Sequence, residues 1–307
     1  LQLLGLQNDM ALLDTVRFNI TSDTTQCTYN AQVRNNKDNK QYVFNALLDG
    51  YVFEKGSGAN IRFYDARDSL GVKLGMEASM EEKGIKVRML TDDPILGYKK
   101  FKVNEDNYIY MGSDRRISAK MQLLADDGTD LHFYSNDKNT EALQDLTVGA
   151  KKLDLEKILS VLPYMPDITG LMDGDVNLIL TKEDLQVAGN LSVDKMTYER
   201  TRMGKLSTEF MYMPQGDGTH SVDGILNCNG KQVAQLNGTY KSEGEGSLEA
   251  DMEMQRMPVR LLNGFIPDRI IRMTGYADGG VSIKGSLDKP RVNGELRFDS
   301  CYMRSAQ

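Results

Sequence analysis

Strict alternation of apolar and polar residues recurs along this chain and limits its possible folds more than any other feature. In the stretch RISAKMQLL, the apolar residues Ile117, Ala119, Met121 and Leu123 are separated by single polar residues. Successive side chains of a β-strand point to opposite faces, so the pattern predicts a strand with one apolar and one polar face. The pattern recurs in VRFNI, YVFNALL, KLGMEASM, IKVRM, SLEADMEM and VNGELRF.

Turn-forming segments separate these stretches. ADDGTD and QGDGTH carry Asp-Gly pairs, which favour tight hairpin turns. Neither segment has the residue spacing of a calcium-binding loop, so we expect hairpin turns there. His220 falls in the second segment, and we expect it to be a solvated turn residue. The sequence therefore predicts a long meander of short antiparallel strands.

Two stretches repeat each other about a hundred residues apart. TGLMDGDVNL at 169–178 and TGYADGGVSI at 274–283 share five of ten residues, and each follows a short amphipathic pattern that ends in proline. We predict short helices near 154–162 and 259–266, each followed by a glycine-rich turn or bulge and a strand. Each copy would rebuild the same bend in the sheet.

The strands share an apolar face, and the sequence allows two ways to use it. The sheet either closes into a dry sandwich or barrel, or stays open as a trough whose apolar wall holds a ligand. Even spacing within each strand predicts that one surface contains Val176, Leu178, Leu180, Val281, Ile283, Leu287, Val292, Leu296 and Phe298.

Composition argues against several classes of function. The net charge of −7 and the pI of about 5.1 do not suit a protein that binds nucleic-acid phosphates. Two histidines and three scattered cysteines supply no catalytic or metal-binding pattern, so we expect no enzymatic activity, no metal and no cofactor. No stretch reaches the ~18 apolar residues that a membrane-spanning helix requires.

One motif resembles a known family. Gly279, Val281, Ile283, Gly285, Ser286, Leu287, Pro290, Val292, Gly294 and Leu296 form the pattern G-x-V-x-I-x-G-S-L-x-x-P-x-V-x-G-x-L. With LDLEKILSVLPYMPDITGLMDGDVNLIL and the strands VAGNLSVDKMTYE and QVAQLNGTYK, it is similar to the TamB/AsmA-like family of Gram-negative envelope proteins. The resemblance is good over about 150–300 and weaker before that.

The resemblance implies an all-β fold: an elongated, curved antiparallel sheet shaped as a U-shaped trough, with short amphipathic helices. Residues 1–150 would form its N-terminal part, and 151–307 a repeat region that continues the same trough. The implied function is transport of phospholipid between inner and outer membrane along the apolar groove. The parent protein would lie in the periplasm, anchored in the inner membrane, with a possible barrel partner of the TamA kind.

Two other functions remain open. An envelope chaperone for outer-membrane β-barrel proteins would use the open sheet edges. A β-sandwich binding domain would present aromatic residues in its loops, yet the chain has no Trp.

Overall fold

The computed structural model describes residues 1–7, 12–24, 26–161, 165–242, 244, 246–265, 272–286 and 288–304. The chain divides into two compact units. The first unit contains Leu1–Asp137 and Lys151–Met165, and the second contains Lys138–Ala150 and Pro166–Gln307. Residues 151–165, which the sequence assigned to the C-terminal region, thus belong with the first unit.

The first unit is an antiparallel sheet. Strands β1 to β7 pair in chain order. Strand β7 then pairs with β11, β11 with β12, and β12 with β13. Of the three short strands, β8 pairs with β6, β9 with β8, and β10 with β12. The strands are β1 Gln2–Gln7, β2 Leu12–Ser22, β3 Cys27–Asn35, β4 Phe44–Phe53, β5 Gly56–Tyr64, β6 Leu70–Glu81, β7 Gly84–Met89, β8 Ile95–Leu96, β9 Lys99–Lys100, β10 Lys102–Val103, β11 Tyr108–Gly112, β12 Ile117–Leu124 and β13 Asp130–Ser135.

The alternating stretches of the first half form these strands with their apolar residues on a common face. Opposite residues of antiparallel strands share a face. One row of opposite residues crosses β2 to β6 and contains Val16, Val33, Ala46, Phe63 and Val72.

A small closed core covers part of the first unit. Phe101 and Val103 are buried against Met89 and Leu123. Strand β14, Gln144–Asp154, leads into helix α1, Leu155–Leu159, and Val161 just beyond the helix is 1% exposed. Asp154 caps the helix by accepting a hydrogen bond from the backbone N–H of Lys157.

The second unit is a meander in which β15 to β22 pair strictly in chain order. In the described residues β15 and β22 do not pair with each other, so this sheet is unclosed. The strands are β15 Ile168–Leu180, β16 Leu185–Tyr198, β17 Thr201–Pro214, β18 Thr219–Cys228, β19 Lys231–Lys241, β20 Ser247–Pro258, β21 Arg272–Gly285 and β22 Arg291–Arg304.

The predicted all-β class with short helices is confirmed. Helix α1 and a 3₁₀ helix at Val259–Phe265 occupy the two predicted segments. The expected helix ends at 162 and 266, and the prolines Pro163 and Pro267, lie outside the described residues. No helix in the described ranges has the length and apolar character needed to cross a bilayer.

The two Asp-Gly segments are hairpin turns, as predicted. Asp127 accepts hydrogen bonds from the backbone N–H and the hydroxyl of Thr129, at 3.1 and 2.8 Å. Asp217 accepts the same pair from Thr219, at 2.9 and 2.5 Å. Each carboxylate therefore serves to close its own turn.

Candidate functional site

A single apolar face extends across all eight strands from β15 to β22. Its central row consists of directly opposite residues: Leu178, Val187, Tyr212, Val222, Gly238, Ala250, Ile283 and Val292. We call this surface the apolar face.

Two further rows run beside the central one. The first contains Val176, Gly189, Phe210, Gly224, Leu236, Met252, Val281 and Gly294. The second contains Gly174, Leu191, Thr208, Leu226, Ala234, Met254, Gly279 and Leu296. None of the three rows includes a charged residue.

The sequence-predicted residues fall on this face as follows. Leu178, Ile283 and Val292 share the central row, and Val176 and Val281 share the next. Leu296 belongs to the row that contains Gly174. Leu180 lies two residues beyond Leu178 and Phe298 two residues beyond Leu296, so both are on the same face. Leu287 lies outside the described residues.

Sequence reasoning missed the part of the apolar face that lies on β16 to β18. Phe210 and Tyr212 lie on this face, whereas Met211 and Met213 point to the opposite one. With apolar residues on both faces, β17 loses the alternation on which the prediction depends. The signal was present in β18, where Val222 and Leu226 are spaced by even numbers.

No second layer of described residues buries the middle of the apolar face. Leu178, Phe210, Met252, Val281 and Ile283 are half-buried, although each is large and apolar. In the core of a sandwich such side chains are fully buried. In the second unit, partial burial favours the open arrangement over the sandwich.

The 3₁₀ helix covers one end of the face. It contacts β17 and β21, and its own side chains Val259 and Leu261 are buried. Asn263 fixes the helix to β21 by accepting from the backbone N–H of Met273 and donating to its carbonyl, at 2.8 and 2.7 Å. The covered end is therefore a small core, and the open part of the face begins beyond it.

The other end of the face carries a polar group around His220. This histidine lies in β18 and is 7% exposed, so the expectation of a solvated turn residue is wrong. Its ring stacks on Tyr212 with centroids 4.6 Å apart, and its Nε2 is 3.3 Å from Oδ1 of Asp184. Its buried Nδ1 has no hydrogen-bond partner among the described residues. Burial, and then the nearby Tyr240 and Asp184, raise the pKa of Tyr212 above its ordinary value.

The repeated sequence builds the same bulge twice. Gly170 on β15 opposes two residues of β16, and Gly275 on β21 likewise opposes two residues of β22. The first residue of each opposing pair, Lys195 or Ser300, has a left-handed backbone with φ of 51° or 53°. Bulges of this kind bend a strand and increase its twist.

The repeat also places equivalent residues in equivalent rows. Gly174 and Gly279 lie in one row, Val176 and Val281 in the next, and Leu178 and Ile283 in the central row. The two copies are six strands apart, yet they are aligned residue for residue across the sheet.

The opposite face of this sheet carries charged side chains alongside apolar ones such as Met211 and Ile225. A hollow of about 690 Å³ lies against it over β15 to β18, lined by the carboxylates of Asp175, Glu209 and Asp223. Apolar side chains, among them Phe210, Met211 and Ile225, line the same hollow. In the described part of the chain no group of three or more His, Cys, Asp or Glu side chains is placed to hold a metal ion.

Comparisons of the chain with protein-family models, with curated proteins and with solved structures gave no match.

Proposed function

We propose that this chain is a segment of a bridge-like lipid-transport protein of the TamB/AsmA-like kind. It would carry phospholipid between the inner and outer membranes of the envelope, with acyl chains lying along the apolar face. The observation that supports the proposal most is the set of three uncharged rows that cross eight strands, with large apolar side chains in their middle that no second layer of described residues buries.

The size of the face suits this ligand. Seven strand spacings of about 4.8 Å give a length of roughly 34 Å across the eight strands. One acyl chain spans about half of a bilayer's hydrocarbon core, or roughly 15 Å. The rows thus offer more than the length of one acyl chain, and a sliding ligand needs a continuous apolar stripe more than fixed polar anchors.

The proposal is tested by extracting lipid from the purified chain and identifying it by mass spectrometry. We expect co-purified phospholipid, strongly reduced in Ile283→Glu and Val281→Glu. On an open face the new carboxylate reaches water, so each substitution should cost no more than ~2 kcal/mol of stability. In a closed core an unpaired charge would cost several kcal/mol and unfold the unit.

The matched control is Asn293→Glu. Asn293 is exposed on the face opposite the apolar face, beside Val292 and across from Ser282. The Asn293→Glu variant should retain both the co-purified lipid and the unfolding midpoint of the parent chain. Absence of lipid from the parent chain, together with unfolding of both apolar-face variants, would leave a purely structural β-domain.

A second candidate is an assembly factor for outer-membrane β-barrel proteins, with a barrel partner of the TamA kind. The exposure of β22 favours it, because Val292 is 60% and Phe298 56% exposed. Such a strand can accept an added strand from an unfolded client. A photo-crosslinker at position 292 should then capture unfolded barrel protein, and the capture should persist in the lipid-deficient Ile283→Glu variant.

A further inference from the structure

Two adjoining hollows in the first unit lie on either side of the loop that joins β5 to β6. One has a volume of about 350 Å³ and is lined by Tyr42, Tyr98 and Ser160. The other has a volume of about 230 Å³ and is lined by Arg34 and Lys37. The loop residues Asp65, Ala66 and Arg67, together with Val43, line both, so the hollows form one cleft, which we call the loop cleft.

The loop is held in a fixed shape by the half-buried carboxylate of Asp65. Oδ1 of Asp65 accepts hydrogen bonds from the backbone N–H groups of Arg67 and Ser69, at 2.8 and 2.9 Å. Oδ2 accepts from the hydroxyl of Tyr98 at 2.9 Å. Burial acts to raise the pKa of Asp65, but these hydrogen bonds outweigh it and hold the pKa below its ordinary value of 3.8. Asp65 is therefore an ionised anchor whose hydrogen-bonding capacity is largely used within the loop.

Arg67 is held over the loop cleft with donors to spare. Its side chain is 81% exposed, and its Nε and Nη2 lie 3.4 and 3.3 Å from Asp65, which are long hydrogen bonds. A guanidinium has five N–H donors in a planar fork that matches phosphate oxygens. Three of those donors remain for a ligand.

Two further cations line the same hollow as Arg67. In the described part of the chain neither Arg34 nor Lys37 forms an ion pair or a side-chain hydrogen bond, and both are exposed. The carboxamide of Asn45 accepts from Gln32 through its oxygen, which leaves its NH₂ group as a donor at the wall of the hollow. Three cations and one amide thus line the same hollow, although the overall charge of the protein is −7.

One carboxylate opposes this arrangement. Asp68 lines the hollow at the tip of the loop, where its backbone is left-handed with φ of 63°. The three cations outnumber Asp65 and Asp68 by one charge, and Asp65 is already engaged. The balance at the hollow therefore favours an anion, and the small volume favours a compact one.

We propose that the loop cleft is a binding site for a phosphate group, held by Arg34, Lys37 and Arg67. A free phosphate and the phosphate of a lipid headgroup present the same oxygens to these residues. The site is independent of the proposed function, since it lies in the first unit and uses none of the residues of the apolar face.

The first test is calorimetric titration of the whole chain with inorganic phosphate. Lys37→Gln and Arg67→Gln should each weaken binding about tenfold, the effect expected when one hydrogen bond to a charged group is lost. Asp68→Asn should strengthen binding roughly two- to fivefold by removing a nearby like charge. Lys40→Gln is the matched control: Lys40 is exposed in the same loop as Lys37 but does not line either hollow.

The second test distinguishes the source of the phosphate. Flotation with phosphatidylcholine vesicles, with and without phosphatidylglycerol, is compared across the same variants. Vesicle binding with the same ranking of variants, but no binding of inorganic phosphate, assigns the site to a lipid headgroup. Binding of inorganic phosphate alone assigns it to a soluble phosphate compound.

Two results would overturn the proposal. One is absence of binding both to inorganic phosphate in the titration and to vesicles in the flotation, and the other is an equal effect of Lys40→Gln and Lys37→Gln. Thermal melts of each variant exclude unfolding as the cause, and Lys37→Gln removes no side-chain contact of the described structure. Ile283→Glu, which should lose co-purified lipid, should still bind inorganic phosphate, so the two proposals can fail separately.

Discussion

Replacing Gly279 by alanine should destabilise the second unit far more than replacing its neighbour Gly280. Gly279 has φ of 134°, a backbone conformation that is essentially restricted to glycine, whereas Gly280 does not have a positive φ. A Cβ at Gly279 would lie well inside 3.0 Å of the carbonyl oxygen of Glu295. At Gly280 the nearest atom, the carbonyl oxygen of Met252, would be 3.8 Å away, which is ordinary contact.

The magnitude follows from two terms. Backbone strain at such a position costs about 1–3 kcal/mol. The clash costs a further ~1–3 kcal/mol, because the obstructing atom belongs to the backbone of a paired strand and has no rotamer to move into. We expect a loss of about 3 kcal/mol or more for Gly279→Ala. Gly280→Ala should be neutral or stabilising by up to ~1 kcal/mol, because alanine reduces the entropy of the unfolded chain.

Urea unfolding followed by circular dichroism measures both variants. Because the chain has two compact units, its unfolding curve can contain two transitions. The transition whose midpoint shifts in Ile283→Glu is assigned to the second unit, which contains Ile283. The first copy of the repeat offers a replicate. A Cβ at Gly174 would clash with the carbonyl oxygen of Asn190 in the same way, so Gly174→Ala should be similarly destabilising. Gly224→Ala is its control, because the nearest atom to a Cβ at Gly224 is 3.8 Å away. Equal midpoints for Gly279→Ala and Gly280→Ala would refute the claim that the backbone at position 279 requires glycine.

Three further outcomes are expected. Because the pKa of Asp65 is lowered in the folded state, its contribution to stability is complete above pH ~5 and is lost progressively as pH falls through 3.8 towards the folded-state pKa. Acid titration of Asp65→Asn should lack this loss. Val161→Ala should cost about 2–3 kcal/mol in urea unfolding, since Val161 is 1% exposed and packs where a Cβ on Gly71 would meet it at 2.8 Å. A chelator should leave the melting temperature unchanged, because Asp127 and Asp217 close hairpin turns with their own threonines.

The strands of this protein could be predicted wherever one face is strictly polar. Strands β6, β7, β12 and β20 coincide with stretches of clean alternation, because their outward residues are charged, amide, serine or glycine residues. The residues of the apolar face on β15 and β21 could be predicted for the same reason. The alignment of β15 with β21 could not be predicted, because only the pairing register of the strands between them shows that Leu178 and Ile283 share a row.

Other features depend on contacts that no local pattern reveals. The stretch GSGANI at 56–61 has the composition of a turn, yet it forms the start of β5. A Cβ at Gly58 would overlap the ring of Tyr51 on the neighbouring strand. Glycine is required there by the close approach of an aromatic ring, and this requirement leaves no turn signature. His220 was assigned to a turn, but the hairpin closes at Thr219, whose carbonyl accepts from Gln215. The strand therefore begins at Thr219 and includes the last two residues of QGDGTH, the segment that its polar composition marks as a turn.

The repeat explains how an open sheet of this length keeps its apolar residues on one face. Side chains alternate with a period of two, so a one-residue slip in any strand would transfer its apolar set to the opposite face. A β-bulge shifts the register of a strand pair by one residue, since one residue on β15 or β21 opposes two on the next strand. The apolar rows stay intact because both copies place the bulge at the same level, with the glycine of left-handed φ four residues beyond Gly170 or Gly275. Inserting a single residue between Gly279 and Val281 would move Val281 and Ile283 to the opposite face while leaving composition almost unchanged. The function proposed for the apolar face therefore depends on register, and the most informative variants are those that shift register without altering hydrophobicity.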